Sequence, residues 1–117
     1  MAEIYKQYQR WVSKAREDAS VAEELLAIKG QPRAISDRFY KQLEFGTGGL
    51  RGIMGAGSNR INIYTVRQAS QGLAGYLNQQ YQNPSVCIAY DTRNRSEDFA
   101  KAAAGVLCAN GVTVYCF

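Results

Sequence analysis

The stretch from Phe45 to Gly57, FGTGGLRGIMGAG, constrains this chain more than any other. It holds six glycines and one charged residue, Arg51, within thirteen residues, a density that a helix interior or a packed strand does not tolerate without reason. Glycines let backbone amides approach a ligand, and the planar guanidinium of an arginine matches the oxygens of a phosphate or carboxylate. The segment therefore predicts an anion site. The alternative is a set of tight turns around a solvated arginine.

Two familiar phosphate-binding loops do not fit this segment. A GxGxxG run begins at Gly46, but its sixth position is Arg51, so the dinucleotide fingerprint fails. Gly52 and Gly57 have the spacing of a Walker A loop, but Ser58 stands where that loop requires a lysine. An anion site here must follow a different pattern.

The glycine-rich segment resembles the opening signature of a known enzyme family. The run FGTGGLRG is followed by MGAG, NR, IN and TV, and a YDTR element, Tyr90–Arg93, ends an apolar run downstream. This order resembles the α-D-phosphohexomutases, the phosphoglucomutase and phosphomannomutase enzymes. With the helical residues before Phe45, the resemblance covers nearly the whole chain. Enzymes of that family are several times longer and have four domains, so the resemblance implies the N-terminal part of domain I.

The resemblance also implies a reaction. The family moves a phosphoryl group between the 1 and 6 positions of a hexose, or the 1 and 5 positions of a pentose, through a phosphoserine and a bisphosphate intermediate. It implies a phosphosugar substrate, Mg²⁺ and a hexose bisphosphate activator for the full-length enzyme. The family's serine lies in a Ser-His-Asn-Pro segment and its metal loop is rich in aspartate, and neither motif occurs in these 117 residues. We therefore expect the isolated chain to be inactive and to bind neither Mg²⁺ nor the activator.

Five residues are the candidates for the site. By the resemblance, Arg51 reaches into the active site near the phosphoserine, and Thr47 and Gly48 shape its loop. Asp91 and Arg93 follow a predicted strand, at the edge where α/β sheets bind ligands, and are further candidates for phosphate binding. The alternative for these two is that they pair with each other or cap the next helix. No residue is a candidate metal ligand.

Charge and residue usage exclude several other functions. The net charge is +4, which suits a phosphorylated ligand, but no block of like charges predicts nucleic-acid binding. The chain has no histidine, so it contains no histidine-activated nucleophile or histidine metal ligand. No stretch resembles a signal region or a membrane span. Three cysteines without a CxxC pair, Cys87, Cys108 and Cys116, are predicted to be buried thiols of a cytoplasmic protein.

The residues before Phe45 are predicted to be helical. Apolar residues recur at intervals of three and four from Glu3 to about Ile28. A capping box, Ser20-Val-Ala-Glu23, suggests that a second helix starts at Ser20. Ser36 offers the N-cap of a third, short helix that carries Phe39 and Leu43.

The remaining residues predict strands and two longer helices. Phe45–Leu50 is expected to be extended, because the corresponding segment begins the sheet in the family that this chain resembles. A capping box at Thr65 starts a helix that ends near Gln80, whose buried face is predicted to comprise Val66, Ala69, Leu73 and Leu77. Gly72 and Gly75 inside this helix suggest close packing against a neighbouring backbone.

A βαβ unit follows this helix. Ser85–Tyr90 and Val112–Phe117 are short apolar runs rich in strand formers. The helix between them is predicted to be capped by Ser96 and to end at Asn110-Gly111. Such a crossover makes the two strands parallel.

Together these patterns predict the α/β class. We expect a three-layer α/β/α sandwich with a mixed, partly parallel sheet, preceded by N-terminal helices. Residues 1–44 are predicted to be a helical extension packed on the domain, and residues 45–117 an incomplete domain I. A domain that ends at a strand is expected to self-associate through its exposed sheet edge. Rival hypotheses are a stand-alone phosphate-binding module, an interaction module without catalysis, and a nucleic-acid binding protein.

Overall fold

The computed structural model describes residues 2–43, 45–46, 49–50, 53–89 and 95–116. The chain divides into two compact units, Met1–Thr65 and Val66–Phe117. The first unit contains three helices and a hairpin, and the second contains a βαβ unit with the greater part of a long helix. Each unit has its own hydrophobic core.

The first two helices are separated by a break, as the sequence predicts. Helix α1 is Ala2–Lys14 and α2 is Ala19–Ala27. The capping residue is Asp18 rather than Ser20, because Oδ1 of Asp18 accepts hydrogen bonds from the backbone N (3.0 Å) and the hydroxyl (2.7 Å) of Ser20. The carboxylate thus satisfies an amide at the helix N-terminus, the usual role of an N-cap aspartate.

Helix α3, Pro32–Phe39, begins four residues before the predicted start at Ser36. Proline suits the first helical position, because its missing N–H would have no intrahelical partner there and its φ is already helical. Ser36 therefore lies inside α3, where its carbonyl oxygen accepts from the backbone N of Tyr40. Leu43, predicted to lie in this helix, follows it and donates its backbone N–H to Ser58.

Aromatic side chains join the three helices. Trp11 packs edge-on against Phe39 (ring centroids 5.6 Å apart) and against Tyr64 (5.5 Å). The Tyr8 hydroxyl donates a 2.7 Å hydrogen bond to the carbonyl oxygen of Leu25. Burial, and to a smaller extent the neighbouring Tyr5, raises the pKa of Tyr8. The buried members of this core are Tyr8, Ala15, Val21, Leu25, Ile28, Ile35, Phe39 and Ala56.

The second unit confirms the predicted parallel βαβ arrangement. Strand β3, Ser85–Ile88, pairs in parallel with β4, Thr113–Cys116, and α5, Ser96–Ala109, connects them. The backbone of Arg95, with φ of +67°, caps α5, so Ser96 is the first helical residue and not the cap. Asn110 and Gly111 end the helix as predicted. Val86, Ile88 and Val114 pack on a small core of Ala74, Leu107 and Val112.

The long helix α4, Ile63–Gln80, corrects two expectations. Leu73 is 39% exposed, whereas Ala74 is completely buried, so the buried face is rotated from the predicted one. A Cβ atom built at Gly72 or at Gly75 would meet nothing within 4 Å. Within the described part of the chain, the close packing predicted at these two glycines is therefore wrong.

The cysteines correct a third expectation. Cys87 and Cys108 are exposed free thiols and not buried small hydrophobes. Cys87 pairs in register with Tyr115, which is also exposed, because strand residues alternate between the two faces of the sheet. The side chain of Cys116 lies outside the described part of the structure.

The strands support the α/β class at a coarse level. Besides the parallel β3–β4 pair, the described residues form an antiparallel pair of β1, Phe45–Gly46, and β2, Gly49–Leu50. The single mixed sheet and the third layer of the predicted sandwich stay predictions. Across the described ranges, the helices are too short or too polar to span a membrane.

Candidate functional site

The glycine-rich segment begins as a short hairpin. Phe45 pairs with Leu50, and Gly46 pairs with Gly49, so the strand conformation predicted for these four residues is confirmed. Thr47 and Gly48 stand between the paired strands in the sequence, and Arg51 directly follows the second strand. These three candidate site residues lie outside the described residues.

The chain beyond Arg51 is described again from Ile53, where it pairs with Ile61. The backbone N of Ile61 donates to the carbonyl oxygen of Ile53 (2.8 Å), and the backbone N of Gly55 donates to the carbonyl oxygen of Ile61 (3.1 Å). The side chains of Ile53 and Met54 are exposed. This part of the glycine-rich segment is thus held by backbone pairing, while the side chains of Ile53 and Met54 face solvent.

Gly57 is a glycine because the end of α3 comes too close for a side chain. The carbonyl oxygen of Arg38 accepts a 3.0 Å hydrogen bond from the backbone N of Asn59. A Cβ atom at Gly57 would overlap this carbonyl oxygen and lie 2.7 Å from the Cβ of Arg38. Its φ of +123° also belongs to a region that favours glycine. Of the two interpretations of the glycine-rich segment, an anion site or a set of tight turns, the tight turn explains the glycine at position 57.

Asn62 joins the turn at residues 55–57, which we call the glycine turn, to the start of α4. Its side chain is buried, and its Nδ2 donates to the carbonyl oxygens of Gly55 (2.9 Å) and Gly57 (3.0 Å). Its Oδ1 accepts from the backbone N of Tyr64 (3.0 Å) and of Thr65 (2.9 Å). Both donors and both lone pairs of this side chain are therefore used within the fold.

A backbone hydrogen bond to Glu24 connects the turn to α2, and an ion pair with Asp37 connects it to α3. Glu24 accepts from Arg38 Nε at 2.7 Å and from the backbone N of Ala56 at 2.9 Å. Arg60, which is 6% exposed, pairs through its guanidinium with the carboxylate of Asp37 and donates to the Asn59 carbonyl oxygen at 3.0 Å. The guanidinium of Arg60 is thus engaged with protein groups, and Arg60 serves the fold of the first unit.

Sequence analysis did not identify the polar residues that hold the turn, which are Glu24, Asp37, Arg38 and Asn62. Only Asn62 had a local signal, the IN pair of the family signature. Glu24 and Asp37 bond to residues 32 and 23 positions away, a separation at which no local pattern identifies a partner.

The other two candidates, Asp91 and Arg93, also lie outside the described residues. The structure describes the elements on either side of them. β3 ends at Ile88, and α5 begins after Arg95, whose Nε lies 3.2 Å from Oδ2 of Asp98. The segment that contains Asp91 and Arg93 thus follows the carboxyl end of a parallel strand, as the sequence predicts.

Comparison with known proteins identifies the chain. The family model for phosphoglucomutase/phosphomannomutase, alpha/beta/alpha domain I, matches residues 42–117. A phosphoglucomutase of Staphylococcus aureus (strain bovine RF122 / ET3-1) is 46% identical over 79 residues, which is 68% of this chain and 14% of that protein. A phosphoglucomutase of S. aureus strain USA300 is 44% identical over 77 residues, or 66% of this chain and 14% of that protein.

The chain thus spans about one seventh of the length of these relatives. No solved structure matches it significantly. The matched residues contain the hairpin, the glycine turn, α4 and the βαβ unit. The chain belongs to the phosphoglucomutase/phosphomannomutase family, of which it carries domain I sequence.

Proposed function

We propose that the chain is the N-terminal part of a phosphohexomutase that interconverts hexose 1-phosphate and hexose 6-phosphate. The observation that carries the proposal is the family match over residues 42–117, which includes the complete FGTGGLRG signature. In this scheme a phosphoserine elsewhere in the enzyme donates its phosphoryl group to the bound sugar phosphate. The bisphosphate then turns around, and the serine takes back the other phosphoryl group.

Arg51 is the residue of this chain proposed to act on the reacting group. Phosphoryl transfer depends on positioning and on neutralising negative charge, and an arginine provides both through its forked donors. Thr47 and Gly48 are proposed to shape the loop before it. Asp91 and Arg93 are proposed to bind phosphate at the carboxyl end of β3.

The residues that the structure describes contain no ligand set that fits the magnesium ion of such an enzyme. No three histidine, cysteine, aspartate or glutamate side chains converge there as a metal site would require. We therefore derive no step through Mg²⁺ from this chain, and assign Mg²⁺ and the hexose bisphosphate activator to the full-length enzyme. The isolated chain is proposed to be inactive.

The finer architecture belongs to the same proposal. We propose a helical extension over residues 1–44 and an incomplete three-layer α/β/α domain with a mixed sheet over residues 45–117. Each strand of the described β3–β4 pair has one edge unpaired within that sheet, which supports self-association through the edge. The proposed location is the cytoplasm, because free thiols such as Cys87 and Cys108 persist in a reducing compartment.

A hybrid enzyme tests the function. In it, this chain replaces the S. aureus phosphoglucomutase up to the end of the matched segment, and glucose 6-phosphate formed from glucose 1-phosphate is measured with a coupled dehydrogenase. We expect the hybrid to turn over and Arg51→Ala to lower kcat/KM about a hundredfold or more, because a preorganised donor to the reacting group is lost. Arg51→Lys keeps the charge but not the forked donors, so its kcat/KM is expected to lie between that of the unaltered hybrid and that of Arg51→Ala.

The matched control is Lys101→Ala. Lys101 is exposed and pairs with Glu97 at the surface, so its loss is expected to leave turnover unchanged. An inactive Lys101→Ala hybrid, or an active Arg51→Ala hybrid, would contradict the proposal for Arg51. Turnover by the isolated 117-residue chain would contradict the proposal that it is inactive.

A further inference from the structure

A carboxylate on α2 is bonded directly to the backbone of the glycine-rich segment. Oε2 of Glu24 accepts hydrogen bonds from the backbone N of Ala56 at 2.9 Å and from Nε of Arg38 at 2.7 Å. Arg38 is held in turn, because its Nη1 donates to the carbonyl oxygen of Ala34. Glu24 lies before residues 42–117, so this contact comes from outside the matched family domain.

The surroundings leave the carboxylate little freedom. The side chains of Glu24 and Arg38 are 30% and 23% exposed, and a charge-assisted bond is stronger where water is partly excluded. A Cβ atom at Gly55 would lie 3.0 Å from Oε2 of Glu24, so the carboxylate uses the space that this glycine leaves free. Ala56, the donor, is completely buried.

This contact lies close to Arg51 along the chain. Ala56 follows Arg51 by five residues. Between them, Ile53 and Gly55 are bonded to Ile61. The described residues that follow Arg51 in the sequence are therefore held at Ile53 and Gly55 by Ile61, and at Ala56 by Glu24.

We propose that Glu24 is a positioning residue for Arg51. It holds the backbone at Ala56, five residues after Arg51, and so restrains the segment that carries Arg51, without itself touching substrate. The role of Arg51 rests on the proposed function, but the restraint that Glu24 places on the segment does not. The N-terminal helices then serve the site as well as the core.

Trypsin measures the restraint on the 117-residue chain itself, because Arg51–Gly52 is a tryptic bond within the segment. We expect Glu24→Ala to speed cleavage of this bond about tenfold, as a charge-assisted bond that restrains it is lost. Glu24→Gln keeps an acceptor for Ala56 but loses the charge, so its effect is expected to be smaller. The matched control is Glu23→Ala, an exposed carboxylate on the same helix, which should leave the rate unchanged.

Cleavage after Lys29, in the turn that follows α2, separates the restraint from simple loss of stability. If Glu24→Ala speeds cleavage after Lys29 and after Arg51 equally, the residue only stabilises the unit and the proposal is overturned. An unchanged rate at Arg51 also overturns it. Selective acceleration at Arg51, partly reversed in Glu24→Gln, supports it.

The hybrid enzyme then tests the effect on catalysis. We expect Glu24→Ala to lower kcat about tenfold with KM nearly unchanged, because a displaced Arg51 weakens transition-state contacts more than substrate binding. Unchanged kcat in a variant with faster cleavage overturns the link to Arg51. If the unaltered hybrid does not turn over, the proposed function loses its support, while the tryptic result still decides the restraint.

Discussion

Asn62 and Thr65 cap each other at the start of α4. The backbone N of Thr65 donates to Oδ1 of Asn62 at 2.9 Å, and the backbone N of Asn62 donates to the Thr65 hydroxyl at 3.0 Å. This is a capping box, in which each side chain satisfies the backbone amide of the other. Thr65 is thus part of a box, as its sequence suggests, but as the third helical residue and not as the cap.

Asn62→Ala is expected to lower the free energy of unfolding of the first unit by about 2 to 4 kcal/mol, because it removes the cap of α4 and the hydrogen bonds from Nδ2 to the carbonyl oxygens of Gly55 and Gly57. Trp11, the single tryptophan, lies in that unit and reports its unfolding by fluorescence in urea. Asn62→Asp should also destabilise, because its second oxygen would face the carbonyl oxygens of Gly55 and Gly57. A loss no larger than in Gln68→Ala, an exposed change on the same helix, would contradict this.

Gly57→Ala and Gly75→Ala are expected to have opposite effects. At Gly57 the new methyl group would overlap the Arg38 carbonyl, and the positive φ adds strain, so a loss of about 2 kcal/mol or more is expected. At Gly75 a Cβ meets nothing, so alanine should stabilise α4 by about 0.5 to 1 kcal/mol. Urea unfolding by fluorescence and circular dichroism measures the two. Destabilisation by Gly75→Ala would show that this face of α4 is covered.

The raised pKa of Tyr8 predicts how the free energy of unfolding changes with pH in the alkaline range. Its pKa is raised in the folded chain, so the unfolded chain loses this proton first as the pH rises above about 10. Stability from the neutral phenol is therefore complete below pH 10 and is lost as the pH passes through the higher folded pKa. Tyr8→Phe should cost about 1 to 2 kcal/mol at neutral pH and flatten the dependence above pH 10. If the free energy of unfolding depended equally steeply on pH in Tyr5→Phe and in Tyr8→Phe, the dependence would not come from Tyr8.

The cysteines provide a test of self-association. Cys87 and Cys108 are exposed and are expected to react with a thiol reagent without denaturant. If chains associate through the β3–β4 sheet, Cys87 should become protected as concentration rises, whereas Cys108 on α5 should stay reactive. Single Cys→Ser variants assign each reaction, and sedimentation velocity measures the association. A monomer at high concentration, with equal reactivity of both thiols, would contradict association through the sheet.

The sequence by itself determined the family, the helical N-terminus and the parallel βαβ unit. These depend on local information, since glycine and arginine spacing carries the signature, and apolar periodicity carries the elements. Cap identities were less predictable. Ser20, Ser36, Thr65 and Ser96 all look like caps, yet the residues at the N-cap positions lie one to five residues earlier, at Asp18, Gln31, Asn62 and Arg95. A local pattern does not choose among neighbouring residues that could stand at the cap.

Only the tertiary structure decided which polar residues hold the glycine turn. Glu24 and Ala56 are 32 residues apart, and their bond exists because α2 and the turn share a core. Burial likewise followed packing, because Leu73 and Cys87 are apolar in type but lie on faces that the described residues of their unit leave exposed. Sequence pattern thus assigns the conformation of a segment, whereas the choice of its partners depends on long-range packing, which no local pattern contains.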